Sequence, residues 1–163
     1  MAGRDEGGWI GWIIRLTTFS GGVALLAAAL RTTVSVLLRW TLRQPIPGDF
    51  EMIAIGGGIA VSAFLGWGTL RRSNILVDSL TGFLPKRITD AMDGFWMLVW
   101  AAIALLLAER MTVGAIETFR SGTATMVLLV PTWWAVALGA FGLLIIVPAA
   151  LLWAWRLTLG RRA

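Results

Sequence analysis

Charged residues interrupt two long apolar stretches of the chain, and two of them, Arg31 and Glu109, lie at matching positions. Arg31 is the one charge within residues 16–38, and Glu109 directly follows the charge-free residues 94–108. Each lies 15 residues beyond the start of its stretch, or about 22 Å along a helix at 1.5 Å per residue. We hypothesise that the two side chains form an ion pair, or that Arg31 meets a partner subunit. The alternative, that each side chain extends to the nearer polar end of its segment, is equally open.

The residue types that most often do chemistry in proteins are missing from this chain. It has no cysteine, no histidine and no tyrosine. A chain without cysteine forms no disulfide, and without cysteine and histidine it lacks the usual ligands of haem, zinc and copper. Most pairs of a nucleophile and a general base lose their base as well. We therefore expect no enzymatic activity, no cofactor and no bound metal.

Small residues recur along the second apolar segment at a spacing of four: Ala54, Gly58, Ser62 and Gly66. A stripe of small residues on one helix lets another helix approach closely. The partner could be a helix of this chain or of another protein. The three consecutive glycines at 56–58 are not a phosphate-binding loop, because they lie inside an apolar run and no Lys-Ser/Thr follows them.

The elements that carry these residues are four apolar segments. Hydrophobic residues make up 58% of the 163 residues and charged residues 14%, against roughly 25% charged in a soluble domain. We predict an all-α integral membrane protein, one domain over residues 1–163, with transmembrane helices at about 16–40, 50–70, 93–117 and 127–155. Continuous apolar runs favour helices over a β-barrel. The first run could instead be a signal peptide, but it is longer than the apolar core of a typical one, which favours an uncleaved span.

The basic residues predict how the chain is oriented. With four spans, nine of them fall on the side of the termini and the middle loop: Arg4, Arg15, Arg71, Arg72, Lys86, Arg87, Arg156, Arg161 and Arg162. Three fall on the other side: Arg39, Arg43 and Arg120. Cytoplasmic loops carry the excess of Lys and Arg, so both termini are predicted to be cytoplasmic. The net charge of +5 is thus a topology signal that calls for no nucleic-acid partner.

The loop between the first two spans ends in two acidic residues. Two prolines and a glycine within residues 43–48 predict a turn. Asp49 is then placed to cap the second helix, and Glu51 lies in its first turn, where the helix dipole favours negative charge. A contact with another subunit is an equally good interpretation of both residues.

The loop between spans two and three is too long for a simple hairpin. Within residues 74–85, four apolar side chains fall on one helical face: Leu76, Leu80, Phe83 and Leu84. This spacing predicts a short amphipathic helix on the inner membrane surface. The alternative is a loop packed beneath the helices.

Short motifs follow one another along these loops: Arg39-Trp40, Pro45, Glu51-Met52, Asn74-Ile75-Leu76-Val77-Asp78, Leu84-Pro85-Lys86-Arg87 and Val130-Pro131-Thr132-Trp133. In this order, on four spans, they resemble the small membrane subunit, DctQ-type, of tripartite ATP-independent periplasmic (TRAP) transporters. The resemblance covers nearly the whole chain. Each motif is weak alone, and the set is fairly specific.

The resemblance implies a scaffold subunit in the bacterial inner membrane. Its expected partners are a large permease subunit (DctM-type), which carries substrate and sodium, and a periplasmic binding protein (DctP-type), which delivers a carboxylate or other organic acid. The small subunit itself is expected to bind neither substrate nor sodium. Candidates for subunit contacts or structural roles are Arg31, Arg39, Asp49, Glu51, Gly58, Ser62, Gly66, Asp78 and Glu109.

Two other functions remain open from the sequence. The chain could be the membrane anchor of another complex, such as one that binds haem or quinone, although the missing histidine disfavours haem. It could also form a small oligomeric transporter. Such a transporter needs a polar stripe through the span centres, where this chain offers only threonine and serine.

Overall fold

The chain folds into four long helices, seen here in a computed structural model that describes residues 8–44, 46–71 and 85–158. The helices are α1 (Trp9–Leu42), α2 (Asp49–Leu70), α3 (Lys86–Ser121) and α4 (Trp133–Thr158). Each is long and apolar enough to cross a membrane. The predicted all-α fold with four such helices is confirmed. The predicted inner amphipathic helix, with Asp78, lies outside the described residues.

The helix bounds differ from the predicted spans at several ends. α1 and α3 have 34 and 36 residues, so both extend beyond the predicted 16–40 and 93–117. α4 begins at Trp133, six residues after the predicted start at 127. The reason is that the preceding residues form a hydrogen-bonded loop. That loop is apolar, so composition alone does not separate it from the helix.

The helices pack in the order α1, α2, α4, α3. α1 packs mainly against α2, α2 against α4, and α4 against α3. α1 and α3 therefore lie at the two edges of a row. Even in α4, only 39% of the residues in its most apolar stretch are buried inside the chain. Much apolar helix surface is thus left for lipid or for a partner.

Small residues bring neighbouring helices together. A Cβ added at Gly21 of α1 would lie 2.9 Å from the Cβ of Ala63 in α2. A Cβ added at Gly142 of α4 would lie 3.0 Å from the Cβ of Ser62 and 3.2 Å from its carbonyl carbon. Lipid tails are as apolar as leucine, so membrane helices associate through close packing of this kind. The α1–α2 and α2–α4 contacts both depend on it.

The side of α3 that faces α4 is a stripe of alanines. Ala104 and Ala108 are buried against Leu143 and Ile146 of α4. Three further buried residues of α3 are Met97, Ala101 and Ala115. The spacing of this set matches one face of a helix, so α3 presents a narrow, small-residue surface to α4.

Tryptophan side chains form hydrogen bonds between helices near the C-terminal ends of α2 and α4. The indole N–H of Trp100 donates to the hydroxyl of Thr69 at 2.9 Å, and that of Trp153 donates to the carbonyl of Leu70 at 3.1 Å. The guanidinium of Arg71 lies 4.7 Å from the ring centre of Trp67. Amphipathic rings beside basic residues are typical of a membrane–water interface.

Gly21 and Gly22 form a matched pair for testing the α1–α2 contact. A Cβ at Gly21 would press on Ala63, whereas one at Gly22 meets nothing within 4 Å. We expect Gly21→Ala to lower the unfolding free energy by about 1–3 kcal/mol, the usual cost of overpacking. Gly22→Ala should leave it unchanged or slightly raised. Detergent-induced unfolding, followed by tryptophan fluorescence, measures both; equal stability of the two variants would contradict the packing.

Candidate functional site

The connection between α3 and α4 is an ordered hairpin-like loop. Ala124 and Pro131 form an antiparallel bridge. The amide of Thr125 donates to the carbonyl of Val130 at 2.9 Å, and the amide of Thr132 donates to that of Thr123 at 3.2 Å. The hydroxyl of Thr125 also accepts from the amide of Val130 at 3.1 Å. These bonds satisfy much of the loop backbone and fix its shape.

The carboxylate of Glu51 in α2 accepts hydrogen bonds from the tip of this loop. Its Oε1 accepts from the amide of Val127 at 2.7 Å, and its Oε2 accepts from the amide of Leu128 at 3.0 Å. Both carboxylate oxygens are thus bonded to successive backbone N–H groups, which is a strong, charge-assisted arrangement. Glu51 joins the start of α2 to a loop about 76 residues further along the chain.

Neither Asp49 nor Glu51 caps α2, contrary to the prediction. The N-cap of α2 is Gly48, and no side chain caps the helix. Glu51 lies in the first turn, as predicted, and Asp49 lies there as well. Asp49 is the first residue of the helix, past the cap position, and its Oδ1 lies 3.4 Å from the hydroxyl of Thr32.

Gly48 makes room for the loop. Its φ of +71° is a left-handed conformation that favours glycine. A Cβ at this position would overlap the side chain of Leu128. Leu128 is therefore seated against the turn before α2, while its neighbours point away: Met126 is 94% exposed, Leu129 73% and Val127 57%. We call these three exposed residues the apolar tip.

Replacing Glu51 with alanine should loosen the loop without unfolding the helices. We expect the amide hydrogens of Val127 and Leu128 to exchange at least about tenfold faster, because they lose their acceptors. Asp49→Ala removes a carboxylate from the same turn and is the matched control. Hydrogen–deuterium exchange of residues 123–132 measures the effect, and equal protection in both variants would contradict the role of Glu51.

Arg31 and Glu109 are not brought together. The Nη2 of Arg31 donates to the carbonyl of Pro47 at 3.0 Å, at the level where α2 begins. Glu109 is exposed on α3, at the other edge of the row. The predicted pair is wrong because counting residues gives only the distance along each helix. It does not show which helices are neighbours or how far they are shifted along their axes. The Nε of Arg31 is buried without a partner among the described residues.

The small-residue stripe of α2 is partly buried against other helices and partly exposed. Ser62 and Gly66 are buried: Ser62 faces Gly139 and Gly142, and Gly66 faces Ile146 and Ile14. Ala54 and Gly58 are exposed. A helix advances by about 400° in four residues, so each step rotates the stripe by about 40° and the whole stripe by about 120°. Half of it therefore packs internally and half faces outwards.

The chain matches the family model described as Tripartite ATP-independent periplasmic transporters, DctQ component, over residues 28–160. This covers α2, α3 and α4 in full and the C-terminal 15 residues of α1. The chain belongs to the DctQ family. It is thus a small membrane component of a TRAP transporter, as the loop motifs indicated. Searches of the curated proteins and of the solved structures gave no significant match.

The DctQ assignment gives the remaining candidate residues a context. Arg39 is exposed in the last turn of α1, beside Trp40, which is 82% exposed. Within the described ranges, no three Asp or Glu side chains group as they would around a metal ion.

Sequence reasoning missed Gly21, Gly139 and Gly142 as packing residues. Their signal was present, since each is a glycine inside an apolar segment, but which glycines meet a neighbour depends on the helix order.

Proposed function

We propose that this chain is the scaffold subunit that anchors and stabilises the large permease subunit of a TRAP transporter. The observation that carries the proposal is the open row of helices in a DctQ family member. Four long helices pack edge to edge and leave most of their apolar surface uncovered. Such a surface is suited to holding another membrane protein. The large subunit would carry out transport, and the small subunit would be no enzyme.

The proposed orientation places both termini in the cytoplasm, in the bacterial inner membrane. Nine basic residues then lie inside and three outside, in agreement with the charge bias of cytoplasmic loops. The turn around Gly48 and the loop of residues 123–132 face the periplasm in this orientation. Trp67, Trp100 and Trp153 lie at the cytoplasmic interface.

The proposed cargo is a carboxylate or another organic acid, taken up with sodium and delivered by a periplasmic binding protein. The apolar tip would help dock that protein. Its three residues are largely exposed on a loop that hydrogen bonds and Glu51 hold in place. A preorganised loop loses little entropy on binding, so it suits transient docking. The family match favours this function over a haem or quinone anchor and over a small oligomeric transporter.

Co-purification tests the scaffold function directly. A tagged version of this chain is expressed with its large permease subunit, extracted in mild detergent and captured by the tag. We expect the large subunit, a protein of many spans, to be captured in equal amount. Recovery of this chain alone, with the large subunit left in the unbound fraction, would contradict the proposal.

A further inference from the structure

Two charged residues inside the apolar part of α3 have no partner within the described part of the chain. Glu109 and Arg110 are both exposed. They lie away from the alanine stripe through which α3 packs against α4, since Ala104 and Ala108 of that stripe are buried and these two are not. Because α3 is an edge helix, its outer side faces whatever surrounds the chain.

The depth of Glu109 follows from the packing of α2. α2 has 22 residues, or about 33 Å, so the hydrocarbon core of about 30 Å must extend along nearly all of it. Ser62 lies 11 residues after Glu51 and nine before Arg71, and is thus near the middle. The Cβ position of Gly139 is 3.4 Å from the Ser62 hydroxyl and 2.7 Å from the Met111 methyl. Met111 is therefore at mid-depth, and Glu109 is two residues away.

This depth distinguishes Glu109 and the adjacent Arg110 from the other charges of the helices. Arg31 reaches the carbonyl of Pro47, beside the N-terminus of α2. Glu117 lies four residues before the end of α3, close to the polar interface. A glutamate side chain is too short to reach that interface from the middle of the bilayer. Left facing lipid, Glu109 would be costly, and intramembrane charges accordingly face other protein groups or water.

The opposite edge of the row has no such feature. Between residues 16 and 30, α1 carries no charge. Its exposed polar side chain there, Ser20, donates its hydroxyl to the carbonyl of Thr17 in the same helix. Its large exposed side chains are apolar: Leu16, Phe19, Val23, Leu25, Leu26 and Leu30. Lipid tails satisfy this edge without any polar partner. The α3 edge therefore carries charged side chains at mid-depth, whereas the α1 edge carries none there.

We infer that the α3 edge around Glu109 and Arg110 is the surface on which the large membrane subunit docks. That subunit places a basic or hydrogen-bond-donating side chain opposite Glu109 at mid-depth. The exposed Leu106, Val113 and Ile116 lie at helical spacing around Glu109 and supply apolar contact beside it. The inference rests on the proposed scaffold function and specifies which edge of the row contacts the large subunit.

Photo-crosslinking in the assembled complex tests which edge is covered. A benzoylphenylalanine is placed at Leu106 on α3 or at Leu26 on α1; the native side chains are 54% and 67% exposed. We expect crosslinks to the large subunit from Leu106 and none above background from Leu26. Crosslinks from Leu26 instead, or from Leu106 to a second copy of this chain, would overturn the inference. In both cases the large subunit still co-purifies, so the scaffold function survives.

A pair of substitutions tests the charge itself. Glu109→Leu leaves the partner's polar group buried and unpaired, so we expect co-purification of the large subunit to fall by about tenfold or more. Glu117→Leu, the same change on the same helix near its end, should have little effect. Equal recovery with both variants would overturn the role of Glu109. If the unmodified chain captures no large subunit at all, the scaffold function itself is wrong.

Discussion

Gly142→Leu is expected to disrupt the centre of the helix row. A side chain at this position must displace Ser62, whose Cβ, carbonyl carbon and carbonyl oxygen lie 3.0, 3.2 and 3.4 Å from the position that a Cβ would take. The obstacle includes backbone, which moves only if α2 and α4 separate. We expect a loss of about 3 kcal/mol of unfolding free energy. The ten tryptophans provide the signal for a detergent unfolding titration.

Gly57→Leu is the control for that experiment. A Cβ at Gly57 meets nothing within 4 Å, so the isolated chain should keep its stability or gain a little from the better helix former. If Gly142→Leu proves as stable as Gly57→Leu, then α2 and α4 do not meet at Ser62. The order of the helices would then need revision.

Placing two charges on the apolar tip is expected to impair uptake while leaving assembly intact. In Met126→Asp with Leu129→Asp, carboxylates replace two exposed apolar side chains on the proposed docking loop. Leu129 has a φ of +54°, a conformation that aspartate tolerates better than leucine, so the loop should keep its shape. We expect uptake driven by the binding protein to fall by about tenfold, because two central contacts would be lost. The measurement is solute uptake by proteoliposomes that contain both membrane subunits.

The control adds the same charge to the same side of the protein, away from the tip. Thr41→Asp with Gln44→Asp changes two exposed residues at the end of α1. Uptake should be close to that of the unmodified complex. If both double variants lower uptake equally, general charge repulsion explains the effect and the tip has no docking role. If neither does, the binding protein docks elsewhere.

The helices and the family could be predicted from the sequence because their signals are local. An apolar run of about 20 residues has few alternatives to a membrane helix, and the loop motifs kept their order along the chain. The loop of residues 123–132 was harder to predict. Val127 to Val130 are as apolar as the helix that follows. The bridge between Ala124 and Pro131 and the long-range bonds to Glu51 show that they form a separate element.

The candidate site was less predictable, because it depends on which helices are neighbours. Glu51 was identified from the sequence, but its bonds to Val127 and Leu128 were not. Arg31 and Glu109 lie equally far along their segments, yet packing places Arg31 beside Pro47 and Glu109 at the depth of Ser62. Residue counting measures distance along a helix. It does not measure how helices are shifted or ordered in a membrane.

The central claim is that this chain supports transport without performing it. Reconstitution tests this most directly: proteoliposomes receive the large subunit alone, this chain alone, or both, with the binding protein, its organic-acid ligand and a sodium gradient. We predict uptake only when both membrane subunits are present. Solute flux through liposomes that contain this chain alone, or full uptake by the large subunit without it, would contradict the account.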